Sequence, residues 1–194
     1  MKKSVFILIA LLTFGVNFNT EAQQSNLSAK EQRKLDKHQE KAAKKEKAQH
    51  DYELYNKLVK DSTFIFTASN WNDAKRGTVI IDPTINFLVV KKDKAFFQFG
   101  LDNVGPGFNG LGGASIEGRV VSYKYYKGKN SKKSSQLVLT IKSNYLHGTI
   151  TFVMTFFGES ATVDLSAGNN QRITLEGALY PLEKVNMIGA GSKF

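Results

Sequence analysis

From Thr149 to Phe157 the chain alternates: Ile150, Phe152, Met154 and Phe156 fall on one side, Thr149, Thr151, Val153 and Thr155 on the other. A period of two belongs to a strand with one buried face. Leu137, Leu139 and Ile141 repeat it one run earlier. After Asp61, short runs rich in β-branched and aromatic residues are separated by turn residues. They predict strands over Thr63 to Ser69, Gly77 to Ile81, Asn86 to Lys92, Lys94 to Gly100, Ser115 to Tyr126, Ser135 to Ser143, Gly148 to Phe157, Ala161 to Leu165 and Arg172 to Tyr180. The connectors, among them Lys92-Asp93, Gly128-Lys129-Asn130 and Gly158-Glu159-Ser160, are of hairpin length, which makes consecutive strands antiparallel neighbours. The expected fold is mainly β: a single antiparallel meander of about eight or nine strands, curled into a sandwich or partly closed barrel.

The segment before it follows another rule. Ser28 to Lys60 contains no Pro or Gly, consists of strong helix formers, and opens with Ser28 and Glu31 at capping-box spacing. Residues 23–60 therefore read as a charged helical lead-in to a β-rich domain over 61–194. The first two thirds of the helix offer only Leu35, Ala42, Ala43 and Ala48 as apolar positions, too few for a core-facing stripe. Tyr52, Leu54, Tyr55, Leu58 and Val59 give its last turns a surface that can dock. Ten basic residues stand against six acidic ones in the segment. Lys34, Lys37, Lys41, Lys44 and Lys45 are its candidates for contact with an anionic surface. The acids dispersed among them favour a solvated spacer instead.

The first residues change the picture of where the chain works. Lys2 and Lys3, an apolar run from Val5 to Val16, and Thr20 and Ala22 before Gln23 have the layout of a secretory signal peptide over residues 1–22. The apolar run is too short to span a bilayer. Export is thus expected, to the periplasm or the medium. The chain has no cysteine, so lipid anchoring at the cleavage site, disulfides, thiolate nucleophiles and sulfur-bound zinc are excluded. Stability must come from a hydrophobic core. The net charge is +10, and removing residues 1–22 leaves 25 basic against 16 acidic residues. Such a balance suits anionic envelope polymers or lipid headgroups; export argues against nucleic acid.

One stretch carries a motif. Gly105, Gly107 and Gly110 have the G-x-G-x-x-G spacing of dinucleotide-binding loops. That chemistry needs a helix following the glycines, with its N-terminus aimed at the phosphates. Here ASIEGRVVSYKYY follows, which reads as a strand, and no acidic residue stands about 20 positions on. No nucleotide or other cofactor is expected. The long connector is instead a lid or a plug over one end of the β domain, with Gly105, Gly107, Phe108, Asn109 and Gly110 as candidate ligand contacts. Trp71, in the polar run Ser69 to Asp73, is a candidate aromatic platform in a loop.

Other chemistries are disfavoured by spacing. His38 and His50 are twelve residues apart, too far for an i, i+4 metal pair, and His147 sits in a turn; no metal site is expected. Glu117, Asp164 and Glu176 lie in predicted strands, where Glu117 shares a face with Arg119, and cross-strand ion pairing explains them better than catalysis. An outer-membrane barrel is disfavoured because several predicted strands fall short of a spanning length.

The segments IDPTINFLVVKKDKAFFQFG (81–100), GLGGASIEGRVVSY (110–123) and GESATVDLSAGNNQRITLEGAL (158–179) resemble the exported domain-of-unknown-function family numbered 4251, found mainly in Bacteroidetes-type bacteria. The resemblance runs from about Tyr52 to Gly189. It implies export and a β-rich domain behind a signal peptide, and brings no functional residues, since the family has no assigned activity. The expected function is that of a non-catalytic periplasmic or secreted binding module for an apolar or mixed ligand. The alternatives are an envelope structural or adaptor protein acting through the basic helix or a sheet edge, and, more distantly, a carboxylate-based hydrolase.

Overall fold

The computed structural model describes residues 28–73, 77–101, 112–143, 148–167 and 171–184. One long helix, α1 (Ala29–Lys60), precedes nine strands: β1 (Thr63–Asp73), β2 (Gly77–Ile80), β3 (Phe87–Lys91), β4 (Lys94–Phe99), β5 (Ala114–Tyr126), β6 (Ser135–Ser143), β7 (Thr149–Phe157), β8 (Ser160–Ala167) and β9 (Gln171–Tyr180). A short 3₁₀ turn, Leu182–Lys184, follows. The chain divides into two compact units, residues 1–43 and 44–194. Within the described residues of the first there is only the beginning of α1.

The helix begins at Ser28, whose backbone N–H and hydroxyl both donate to the Glu31 carboxylate at 3.0 and 2.9 Å. This is the backbone half of the expected capping box. It ends at Ser62, which takes up the left-handed conformation (φ 52°) and returns its N–H to the Val59 carbonyl.

The second unit is a closed barrel. Strands β3 to β9 form an antiparallel meander, and β1 pairs with both β3 and β9, closing a ring of eight; β2 lies outside it. Closure resolves the choice between sandwich and barrel. The simple meander needs one correction, because β2 does not pair with β3. Strand β1 is long enough to divide its edge: Thr63 to Thr67 pair with β3, and Asn70 to Asp73 pair with β2. The polar run around Trp71 is therefore strand rather than loop. A bulge between Ala68 and Asn70 resets the alternation, so that Trp71 faces inward opposite Leu175 while Asn70 and Asn72 face out. Closure also depends on Gly177: a Cβ there would lie 1.9 Å from the Thr67 carbonyl oxygen, so only glycine lets β9 approach β1 this closely.

Eight strands leave an interior just wide enough for side chains. Phe64, Phe66, Phe152, Leu139, Ile141 and Leu175 are at most 1% exposed and fill it, with Phe97 edge-on to Phe152 at 5.3 Å. The apolar face is thus the inner one, the reverse of a lipid-facing barrel. Strands β5 to β9 run 8 to 13 residues, longer than several of the predicted runs. On β1, β3 and β4 the outer face is buried as well: Ile65, Phe87, Val89 and Phe96 form a second cluster, against which Leu182 packs.

Candidate functional site

The last turns of α1 close one end of the barrel. Tyr55 and Val59 belong to the main core, while Leu54 and Leu58 pack against it. Polar contacts fix this dock. The buried Asn56 accepts from Ser135 Oγ at 2.5 Å and from the Tyr125 hydroxyl, while its Nδ2 donates to the Tyr52 carbonyl one turn back. The Tyr123 hydroxyl donates to the Val59 carbonyl, one of the last carbonyls of the helix. Tyr52 donates to the Gly128 carbonyl at 2.5 Å, and the Lys127 ammonium stands 5.1 Å from the centre of its ring. Burial pushes the Tyr55 and Tyr123 phenols up to about 12.

Beside this dock lies a cleft of about 320 Å³. Its helix wall is Lys44, Lys47, Ala48, Asp51 and Tyr52, which recur at three and four residues and so share one face of α1. The facing wall is the β7–β8 hairpin with Ser131. That hairpin has two turn residues between the paired Phe157 and Ser160, and Gly158 supplies the positive φ (56°) such a turn requires. Its Cα faces Asp51 closely enough that an added Cβ would stand 3.6 Å from the Asp51 Cβ. Phe157 leaves 52% of its surface in the open. The charges are arranged by sign. Lys44 and Lys47 stand toward the N-terminal side of the helix wall; Asp51 and Glu159 lie at the other side. A hydrogen bond to Glu159 raises the Tyr180 phenol, and Glu159 and Asp51 add to the effect of burial on Tyr55. The cleft can thus hold a small amphoteric molecule: an anionic group toward the lysines, a cationic one toward the carboxylates, and an apolar part on Phe157.

The residues singled out from sequence are placed apart. Trp71 lies in β1 at the opposite end of the barrel, half-buried, its ring edge-on to Phe99 at 5.8 Å. It packs on the core there. The glycine connector leaves and rejoins the described residues at that same end, through Leu101 and Gly112; Gly105, Gly107, Phe108, Asn109 and Gly110 lie outside the described residues, as do residues 1–22, where a signal peptide is expected, and His147. Gly113, at its edge, could carry no Cβ, which would fall 2.0 Å from the Phe99 carbonyl oxygen. Lys34, Lys37 and Lys41 are exposed on the helix in the first unit. Lys44 and Lys45 belong to the second, where Lys44 lines the cleft. Sequence reading missed the cleft itself. Its signal was the pairing of a helix face with the Gly158-Glu159 turn, which only the fold brings together.

Two of the three strand carboxylates, Asp164 and Glu176, have side-chain partners. Asp164 accepts from Arg172 and from Thr174, each at 2.6 Å across the β8–β9 pair, and the Arg172 guanidinium holds its carboxyl below the usual carboxylate range. Glu176 accepts from Asn72 at 2.7 Å. Arg119 stands 3.9 Å from Asp93 in the β3–β4 turn, and Glu117, opposite Phe96, forms no ion pair among the described residues, so the expected cross-strand pairing does not extend to it. Among the described residues no group of three or more His, Asp or Glu side chains is placed to hold a metal ion, and no helix is long and apolar enough to cross a membrane.

The sequence profile of DUF4251, a domain of unknown function, matches residues 46–179. The chain belongs to the DUF4251 family. The matched region spans the helix end, the dock and the barrel through Leu179. A crystal structure of a DUF4251 family protein from Bacteroides eggerthii DSM 20697 superposes with a TM-score of 0.58 at 24% identity, covering 71% of this chain and 92% of that one. At that identity the likeness concerns the fold. No curated protein matches the chain.

Proposed function

We propose that this DUF4251 protein is a non-catalytic, exported binding module that takes its ligand outside the barrel, in the cleft between α1 and the β7–β8 turn. The observation that carries the reading is the contrast between a lumen filled by side chains at most a few per cent exposed and a 320 Å³ cleft with an open aromatic wall and charges of both signs. A lumen carrier would need room that Phe66, Phe97 and Phe152 occupy. The ligand class that fits is small and amphoteric with an apolar part. Native mass spectrometry of the protein recovered gently after export tests it. A discrete small-molecule adduct, lost in Phe157→Ala, supports the cleft; an adduct unchanged by Phe157→Ala, or a bare mass, argues against it.

One observation favours the adaptor alternative at a sheet edge. Closure leaves β2 as the one strand among the described residues with an unpaired side. The Ile81 N–H bonds the Ser69 carbonyl, so by antiparallel alternation the backbone groups of Thr78 and Ile80 point away from β1. Ile80 is 86% exposed. Such an edge suits an added partner strand. Ile80→Pro removes an outward N–H without touching the β1–β2 ladder, and should abolish a partner crosslink in envelope extracts if the edge is used.

A further inference from the structure

The first half of α1 sorts its charges in a way the linear sequence hides. At 100° per residue, Arg33, Lys37, Lys30, Lys41 and Lys34 fall, in that angular order, within an arc of about 100°. They span about 16 Å of helix axis at 1.5 Å per residue. No acidic residue lies within the arc. Glu40 borders it by about 20° on the Arg33 side, while Asp36 and Glu31 stand about 60° beyond its two margins, and Glu31 is engaged in the N-cap. All five cations are exposed, and none forms an ion pair among the described residues. The spacer reading rested on acids dispersed along the sequence. In projection the basic residues are gathered on one side.

The composition of the stripe restricts its partner. It contains no aromatic or large apolar residue, and Leu35, 48% exposed, lies across the helix from it. Contact is therefore by charge alone, without insertion of an apolar face. Four of the five cations are lysines, point charges with no fixed fork of donors, which suit phosphates of variable orientation better than a rigid carboxylate or sulfate pair. Arg33 and Lys34 stand at nearly the same height on the two margins of the arc, so the stripe has width as well as length. That matches a plane of anions better than a single polymer strand. We propose that this helix face docks on the phosphate headgroups of an anionic phospholipid bilayer.

The test is sedimentation of the protein recovered after export with vesicles of phosphatidylglycerol and phosphatidylcholine in equal parts, and with pure phosphatidylcholine. Binding is expected to the anionic vesicles alone, and to vanish at about 0.5 M salt, where screening shortens to roughly 4 Å. Lys34→Glu, Lys37→Glu and Lys41→Glu together should weaken it by roughly 100-fold, at about fivefold per cation. The control reverses Lys129, Lys132 and Lys133 in the β5–β6 turn, with the same change in net charge and no loss of binding expected. Should circular dichroism show that the reversals melt the helix, the glutamine versions of the same three positions take their place, with a smaller loss expected. Equal weakening in stripe and control variants would assign binding to overall charge and overturn the proposal. So would no binding to anionic vesicles, or binding of soluble inorganic polyphosphate by a protein that ignores them, which would assign a linear polymer.

Discussion

The two halves of α1 are built from the same good helix formers and held by different forces. From Tyr52 to Val59 every turn presents a side chain to the barrel, and Tyr52, Tyr55, Asn56 and Val59 are buried. From Ala29 to Ala43 every residue is exposed, and the Ser28–Glu31 cap opens a stretch that packs on no buried core residue. A cap and intrahelical hydrogen bonds leave a helix of this length marginal in water. Burial decides where the helix is firm, and charge decides what its other half offers to its surroundings.

The core end should be the easiest to break. Phe152→Ala removes a ring packed edge-on to Phe97 in the lumen and should destabilise the barrel by about 3–5 kcal/mol in urea unfolding, with the exposed half of α1 contributing nothing to the change. Gly177→Ala comes next: its methyl cannot fit against the Thr67 carbonyl, and relieving the clash should cost about 1–3 kcal/mol and raise amide exchange in β1 and β9 above that of β6 and β7. Asn56→Ala should cost a similar amount, about 1–3 kcal/mol, because it leaves the Tyr125 and Ser135 hydroxyls without their acceptor. It should loosen the docked turns while the strands stay protected, which urea titration followed by tyrosine fluorescence would detect.

Alkali separates the same regions without mutation. Tyr123 and Tyr55 have folded-state values near 12, above the free phenol near 10. A raised value contributes stability that is whole below the unfolded pKa and is lost as pH rises through the folded one. The dock should therefore hold at pH 9 and fail between about pH 10 and 12, with tyrosinate absorbance rising late and together with unfolding. Asp164 acts in the opposite direction. Its lowered value gives stability that is present above the unfolded carboxylate range and is lost as pH falls through the folded value. The effect is the smallest of the set because the pair is largely exposed; Asp164→Asn should flatten the acid limb of a thermal melt below about pH 4.

Much of this was legible in the chain. Alternation such as that from Ile150 to Phe156 locates a strand because one face of the sheet is buried, and nine predicted runs correspond to nine strands. The first predicted run stops at Ser69, short of the end of β1, because a bulge inverts the alternation just where outward Asn70 and Asn72 surround inward Trp71. Closure was not legible, since it joins Phe66 to Leu179 across most of the domain, and no local pattern encodes a pairing so distant. The cleft was hidden for the same reason. The basic stripe, by contrast, was present in the positions of Lys30, Arg33, Lys34, Lys37 and Lys41 and needed only the helical projection to appear.

Hydrogen exchange followed by mass spectrometry across α1 tests the division of the helix most directly. Amides of 52–60 should be protected to the level of β6 and β7, and those of 30–43 should exchange orders of magnitude faster. Uniform strong protection along the whole helix would contradict the account, because it would require the first half to be buried against something; uniform rapid exchange would contradict it too, since the docked turns would then not close the barrel.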